Sequence, residues 1–198
     1  MARNRAAQRE RPPEVWREPA PEVIGRLRRT KRLLELAQRE PALWYRPHAR
    51  QLAFHAAGGE AVERLFLAGN RVGKTLAGAV EVVFHLTGRY PLWWTGHRFR
   101  EPVQAWAASV SREVTRDVLQ PLYLSGWGTG AMAGRPGLLL PELVLERRLK
   151  ASGPGAVDGV RVRHVSGGVS ELGFKSFDQG RESFQGTAKH VVHLDEEP

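Results

Sequence analysis

The chain contains no cysteine. That removes disulfides, thiolate metal sites and thiol nucleophiles, and it suits a reducing compartment. Long apolar runs are absent too. Nothing approaches the ~18 consecutive apolar residues of a membrane-spanning helix, so no span and no membrane role are expected. The opening residues, MARNRAAQRERPPEVWRE, are basic and lack the apolar segment of a secretory leader, so no export is expected. No internal repeat stands out at solenoid-like periods. What remains is a 198-residue chain, 41% hydrophobic and 26% charged. That mix supports a core and excludes wholesale disorder, and the length suits one domain or a large part of two.

The net charge of +9 is unevenly placed. Residues 1–50 hold 13 basic and 6 acidic side chains, a surplus of seven; the other 148 residues hold 17 and 15. A basic end of this kind suits nucleic acid or an acidic partner, and equally a solvated helix with no partner. Within it, Pro12, Pro13, Pro19 and Pro21 mark a flexible lead-in. The spacing of Val23, Ile24, Leu27, Leu33, Leu34 and Leu36 then predicts a helix over 22–39, with Arg26, Arg28, Arg29, Lys31 and Arg32 around its stripe. An arm over residues 1–41 and an α/β domain over 42–198 are the expected divisions.

Further on, a short helix is expected at 48–57. The bounded apolar run Leu65–Ala68 predicts a buried strand, followed by a loop and a helix from Lys74 to about Leu86 that stops at Thr87-Gly88. A second strand is expected at 103–109 and a helix at 112–119 capped by Ser111. Gly126, Gly128, Gly130, Gly134 and Gly137 mark a long loop whose spacing does not match a dinucleotide fingerprint. A helix over 138–150, a hairpin of strands 160–165 and 169–176, and a last strand ending in HLDEEP complete the expectations.

The most specific signal is AGNRVGKT, Ala68 to Thr75. Set between a predicted strand and a predicted helix, it reads as a phosphate-binding loop. Backbone N–H groups of Ala68, Gly69, Asn70, Arg71, Val72 and Gly73 would face phosphate, with Gly73 permitting close approach. Lys74 would reach the β- and γ-phosphates of ATP, and the Thr75 hydroxyl would take a Mg²⁺ position. One departure stands out: Ala68 occupies the place of the first glycine, although Gly69 follows it.

Such a loop needs an acidic strand end. His190-Val191-Val192-His193-Leu194-Asp195-Glu196 supplies one, with Asp195 as the metal partner and Glu196 as the general base for water. Residues 190 and 193 point to opposite faces of a strand, so a three-ligand site of His190, His193 and Asp195 is not expected, and His193 reads as a packed histidine.

LFLAGNRVGKTLAGAVEVVFHLTGRYP, AWAASVSREVTRDVLQ and GRESFQGTAKHVVHLDEEP together resemble the N-terminal ATPase part of phage large terminase subunits, over roughly residues 42–198. The resemblance implies a P-loop NTPase fold of the additional-strand type, with a mostly parallel sheet flanked by helices. It also implies an ATP- and Mg²⁺-dependent motor that drives double-stranded DNA into procapsids in the bacterial host cytoplasm. Its implied partners are double-stranded DNA, a small terminase subunit, a portal protein and a homo-oligomeric ring. By position, Gln51 would be the adenine-contacting glutamine, with Tyr45 and Phe54 nearby. Arg71 would be a γ-phosphate-sensing catalytic residue beside Lys74 and Glu196, and Arg181 is a second, weaker arginine. The family continues past this acidic strand with a coupling strand and a nuclease domain. The chain is therefore expected to be incomplete after it, without a nuclease, and to leave a sheet edge unpaired. Two other readings use the same residues: a helicase-like translocase, which Glu197-Pro198 fits poorly, and a non-catalytic nucleotide- or DNA-binding remnant.

Overall fold

The computed structural model describes residues 20–126, 134–149 and 156–196. The chain divides into two units, Met1–Leu36 and Ala37–Pro198. Pro12, Pro13 and Pro19 of the lead-in, Gly128, Gly130, Glu197 and Pro198 lie outside the described residues, whereas Pro21 belongs to a helix.

The described part of the first unit is a helix, α1 (Pro21–Arg39), whose last residues pass the boundary. Pro21 starts it, Glu22 lies in its first turn and Arg39 in its last, all in agreement with the helix dipole. Its basic residues 26–32 are exposed, and so are Val23, Leu27, Leu33 and Leu34.

The second unit is a mixed α/β arrangement. Helix α2 (Ala49–Ala57) follows His48, whose backbone N–H donates to the Gln51 side-chain oxygen at 3.0 Å. Helix α3 (Lys74–Thr87) opens on Gly73 and closes on Gly88, both left-handed at φ 80° and 69°. Every residue of α3 from Ala79 to Thr87 is buried. A helix apolar on nearly all sides belongs in a core, and α3 packs against the sheet and carries the central cluster with Val80 and Phe84.

The sheet has five strands: β1 (Gln104–Ser109), β2 (Val144–Leu149), β3 (Val157–Arg163), β4 (Val169–Ser176) and β5 (Val191–Leu194), in the order β2-β3-β4-β1-β5. The predicted parallel character holds for β4-β1-β5. Strands β2 and β3 add antiparallel pairings, so the sheet is mixed rather than mostly parallel. Burial in β4 alternates strictly, sending Ser170, Leu172, Phe174 and Ser176 into the core. Its hairpin with β3 turns at Gly167, as the Ser166-Gly167-Gly168 signal predicts.

Three expectations need correction. Residues 64–69 form no strand: they pair with no ladder, and Leu65 and Leu67 are 70% and 74% exposed. Apolar character alone does not make a strand without a hydrogen-bonded neighbour. Of the helix expected over 138–150, the described residues 138–149 are not helical. Pro141–Leu143 makes one 3-10 turn, and Val144–Leu149 then pairs with β3, so ladder pairing overrides the helical propensity of LVLERRL. The helix after Ser111 is composite: α4 (Arg112–Val114), a π-helical turn Thr115–Leu119, and α5 (Gln120–Tyr123). The Ser111 hydroxyl does cap it, accepting from the Val114 N–H at 3.2 Å.

Candidate functional site

The loop between residue 68 and α3 faces the C-terminal end of β5. Arg71 has a left-handed φ of 62° and Gly73 one of 80°. Left-handed residues on either side of Val72 turn the chain tightly, as in loops whose backbone N–H groups form anion-binding concavities. Gly73 is also crowded, since a Cβ there would stand 2.9 Å from the Gln51 amide nitrogen.

Thr75 is the second residue of α3 and Asp195 directly follows β5, 120 residues apart in the chain. The Thr75 hydroxyl donates to an Asp195 carboxylate oxygen at 2.7 Å. Parallel pairing on β1 fixes this approach, because the Asp195 N–H donates to Ala108 O at 2.8 Å and continues the ladder. A hydroxyl and a carboxylate side by side are hard oxygen donors of the kind magnesium takes, with its remaining positions left to water and phosphate. The residues present therefore fit the ion.

The Lys74 ammonium lies on the loop's own carbonyls, donating to Ala68 O at 2.6 Å and Gly69 O at 3.0 Å. Asn70, Arg71 and Val72 are exposed along the loop. Glu196 is exposed directly after Asp195, at φ 73°. Gln51 is buried, and its amide nitrogen donates to Gly73 O at 3.2 Å. Thus Gln51, Gly73, Lys74, Thr75 and Asp195 come together. Phe54 and Tyr45 do not offer free faces. Phe54 stacks on Phe66 at 5.0 Å and carries the Arg64 guanidinium 4.6 Å from its ring centre, while Tyr45 is buried against His55 and Trp93. Arg181 lies exposed in a separate 3-10 turn, Arg181–Phe184.

His193 is a packed strand histidine, as its spacing implies. Its Nδ1 lies 3.0 Å from the buried Tyr123 hydroxyl, and its ring abuts Gly78 of α3. Burial lowers its pKa, with Asp195 opposing, so the ring stays neutral. His190 lies apart, its Nδ1 accepting from Gln104 N at 3.0 Å. Among the described residues no cluster of three or more His, Asp or Glu could hold a metal.

A second polar cluster sits behind the loop and escaped the sequence reading. Glu81 of α3, 4% exposed, accepts from His55 Nδ1 at 2.7 Å, from both terminal nitrogens of Arg64, and faces His85 Nε2 at 3.5 Å. Burial alone would raise its pKa, but these hydrogen bonds and the Arg64 charge hold it well below the carboxylate range. A signal was available: a charged residue inside VEVVFHL, four positions before a histidine, demands a partner if the helix is buried.

Fold and site together define an α/β protein in which a glycine-capped Lys-Thr loop faces an aspartate at the end of a parallel strand. Residues 65–198 match the family model described as terminase large subunit, T4likevirus-type, N-terminal, and the chain belongs to that family. It is similar to the large terminase subunit of Salmonella phage P22, with 34% identity over 171 residues, covering 78% of this chain. The chain spans about a third (34%) of that relative's length. No solved structure matches it.

Proposed function

We propose that this chain is the ATP-binding and ATP-hydrolysing part of a viral DNA-packaging motor, with a P-loop NTPase fold, and that hydrolysis is coupled to movement of double-stranded DNA into procapsids. The single observation that carries the reading is the Thr75–Asp195 contact at 2.7 Å, because it joins a loop motif and an acidic strand end that are remote in sequence.

On this reading the loop amides cradle the triphosphate. Lys74 exchanges the carbonyls of Ala68 and Gly69 for phosphate oxygens. Thr75 and Asp195 hold Mg²⁺, which neutralises phosphate charge. Glu196 accepts a proton from the attacking water, and Arg71, on the exposed side of the loop, stabilises charge on the transferring group. Gln51 sits where it can orient a bound nucleotide against Gly73. The exposed arginines of α1 suit phosphate backbone, and action at a procapsid portal in the host cytoplasm, in a ring with a small subunit and portal protein, follows from the family.

The test is titration of the chain with a fluorescent ATP analogue, with and without Mg²⁺, followed by phosphate release. Lys74→Ala is expected to abolish binding. Glu196→Gln is expected to retain binding and lose release. Equal binding by wild type and Lys74→Ala would end the reading. Binding without release by the wild type would favour the nucleotide-binding remnant for this chain.

A further inference from the structure

Glu81 draws its partners from three segments. His55 comes from α2, Arg64 from the segment that leads into the loop, and His85 from α3 itself. Arg64 also donates to Phe54 O of α2 at 2.8 Å. A buried ion cluster is weak evidence for stability as such, since apolar residues of similar volume often serve as well. It does fix geometry, because each partner must meet the carboxylate at hydrogen-bond distance.

That geometry bears on the loop. Gln51 and His55 lie one helical turn apart on the buried face of α2. Gln51 reaches Gly73 at the start of α3, and His55 reaches Glu81 two turns further along. Helix α2 is thus pinned to α3 at two points, which sets its direction where one point would leave it free to swing. The Arg64 arm anchors the chain four residues before Ala68, whose carbonyl holds Lys74.

We propose that Glu81 is a positioning residue for nucleotide binding: through His55 and Arg64 it sets where the Gln51 amide and the loop's lead-in stand relative to α3. The proposal rests on the ATP-binding reading above. It assigns Glu81 no contact with nucleotide.

The experiment is a double-mutant cycle on the full chain, with the fluorescent ATP analogue as probe and thermal melting in parallel. Wild type and Lys74→Ala are compared first; equal affinity there removes the nucleotide reading itself, whatever the cluster does. Glu81→Gln and His55→Leu are then compared with Gln51→Ala. His55→Leu removes the direct His55–Glu81 contact, together with the 3.4 Å contact of His55 to the Tyr45 hydroxyl, and leaves Arg64–Glu81 intact, so it decides the matter if Glu81→Gln fails to fold. The expected result is affinity weakened about tenfold by His55→Leu, in the range of coupling within one hydrogen-bond network. Gln51→Ala/His55→Leu is expected to bind no more weakly than Gln51→Ala alone. The proposal is overturned if His55→Leu lowers the melting temperature without changing affinity, or if the two substitutions add.

Discussion

Glu81 and three histidines give the molecule an acid-sensitive interior. His85, His164 and His193 have pKa values lowered from 6.5, burial being the first cause in each, so each gains a proton on unfolding as pH falls. Their contribution to stability is present above about pH 6.5 and declines below it. The Glu81 value is also lowered, from 4.5, so its contribution is full above that value and is lost as pH falls through and below it. The signs agree. Melting temperature is expected to fall in two stages, below about pH 6.5 and again below about pH 4.5; Glu81→Gln should flatten the second stage and deepen the first, because the Glu81 charge opposes the lowering at His85 and His193. A melting temperature constant from neutral pH to about pH 4 would contradict this assignment. At this scale Lys74, Thr75 and Asp195 were legible because each belongs to a short motif with its own chemistry. Glu81 was not, since His55 and Arg64 lie 26 and 17 positions away and meet it only through the fold, and His85 four positions on is the one local sign.

Helix α3 shows which elements a sequence announces. Its ends are marked by Gly73 and Gly88, and its apolar residues run from Leu76 to Leu86, broken by Gly78, Glu81 and His85. Helices α1 and α2 were equally plain from stripe and bounding prolines. The strand at 65–68 and the helix at 138–150 were misread for one reason: pairing depends on what lies alongside. Val144–Leu149 found β3; Leu65–Ala68 found no partner strand among the described residues. The N-terminal end of α3 supports a direct prediction. Gly73→Ala would force a Cβ into a left-handed position, costing ~1–2 kcal/mol, and would place it 2.9 Å from the Gln51 amide nitrogen. A lower melting temperature together with weaker ATP-analogue binding is expected. An unchanged melt would show that the loop relaxes without strain.

Among the described residues the sheet of the second unit has two edges, β2 and β5, and the β5 edge is the parallel one. Strand β5 pairs with β1 on one side and with no strand on the other among the described residues, and Val192 and Leu194 are about half exposed. Leu65 and Leu67 add further apolar surface. An open parallel edge with apolar side chains invites pairing with another chain. Sedimentation velocity is expected to show association that grows with concentration, and Val192→Lys should reduce it; a concentration-independent monomer would refute this.

On the proposed nucleotide-binding reading, the Lys74 ammonium, seated on Ala68 and Gly69, has a consequence for ligand release. A departing product does not strand a bare charge in the loop, because the amine has carbonyls to return to. Part of what binding gains from lysine and phosphate is offset by the contacts given up, so ligand affinity is moderated while release is eased. On the proposed reading of an ATP-driven motor, which would have to empty its site once per stroke, that restraint would favour a short dwell of spent nucleotide and a quick reset.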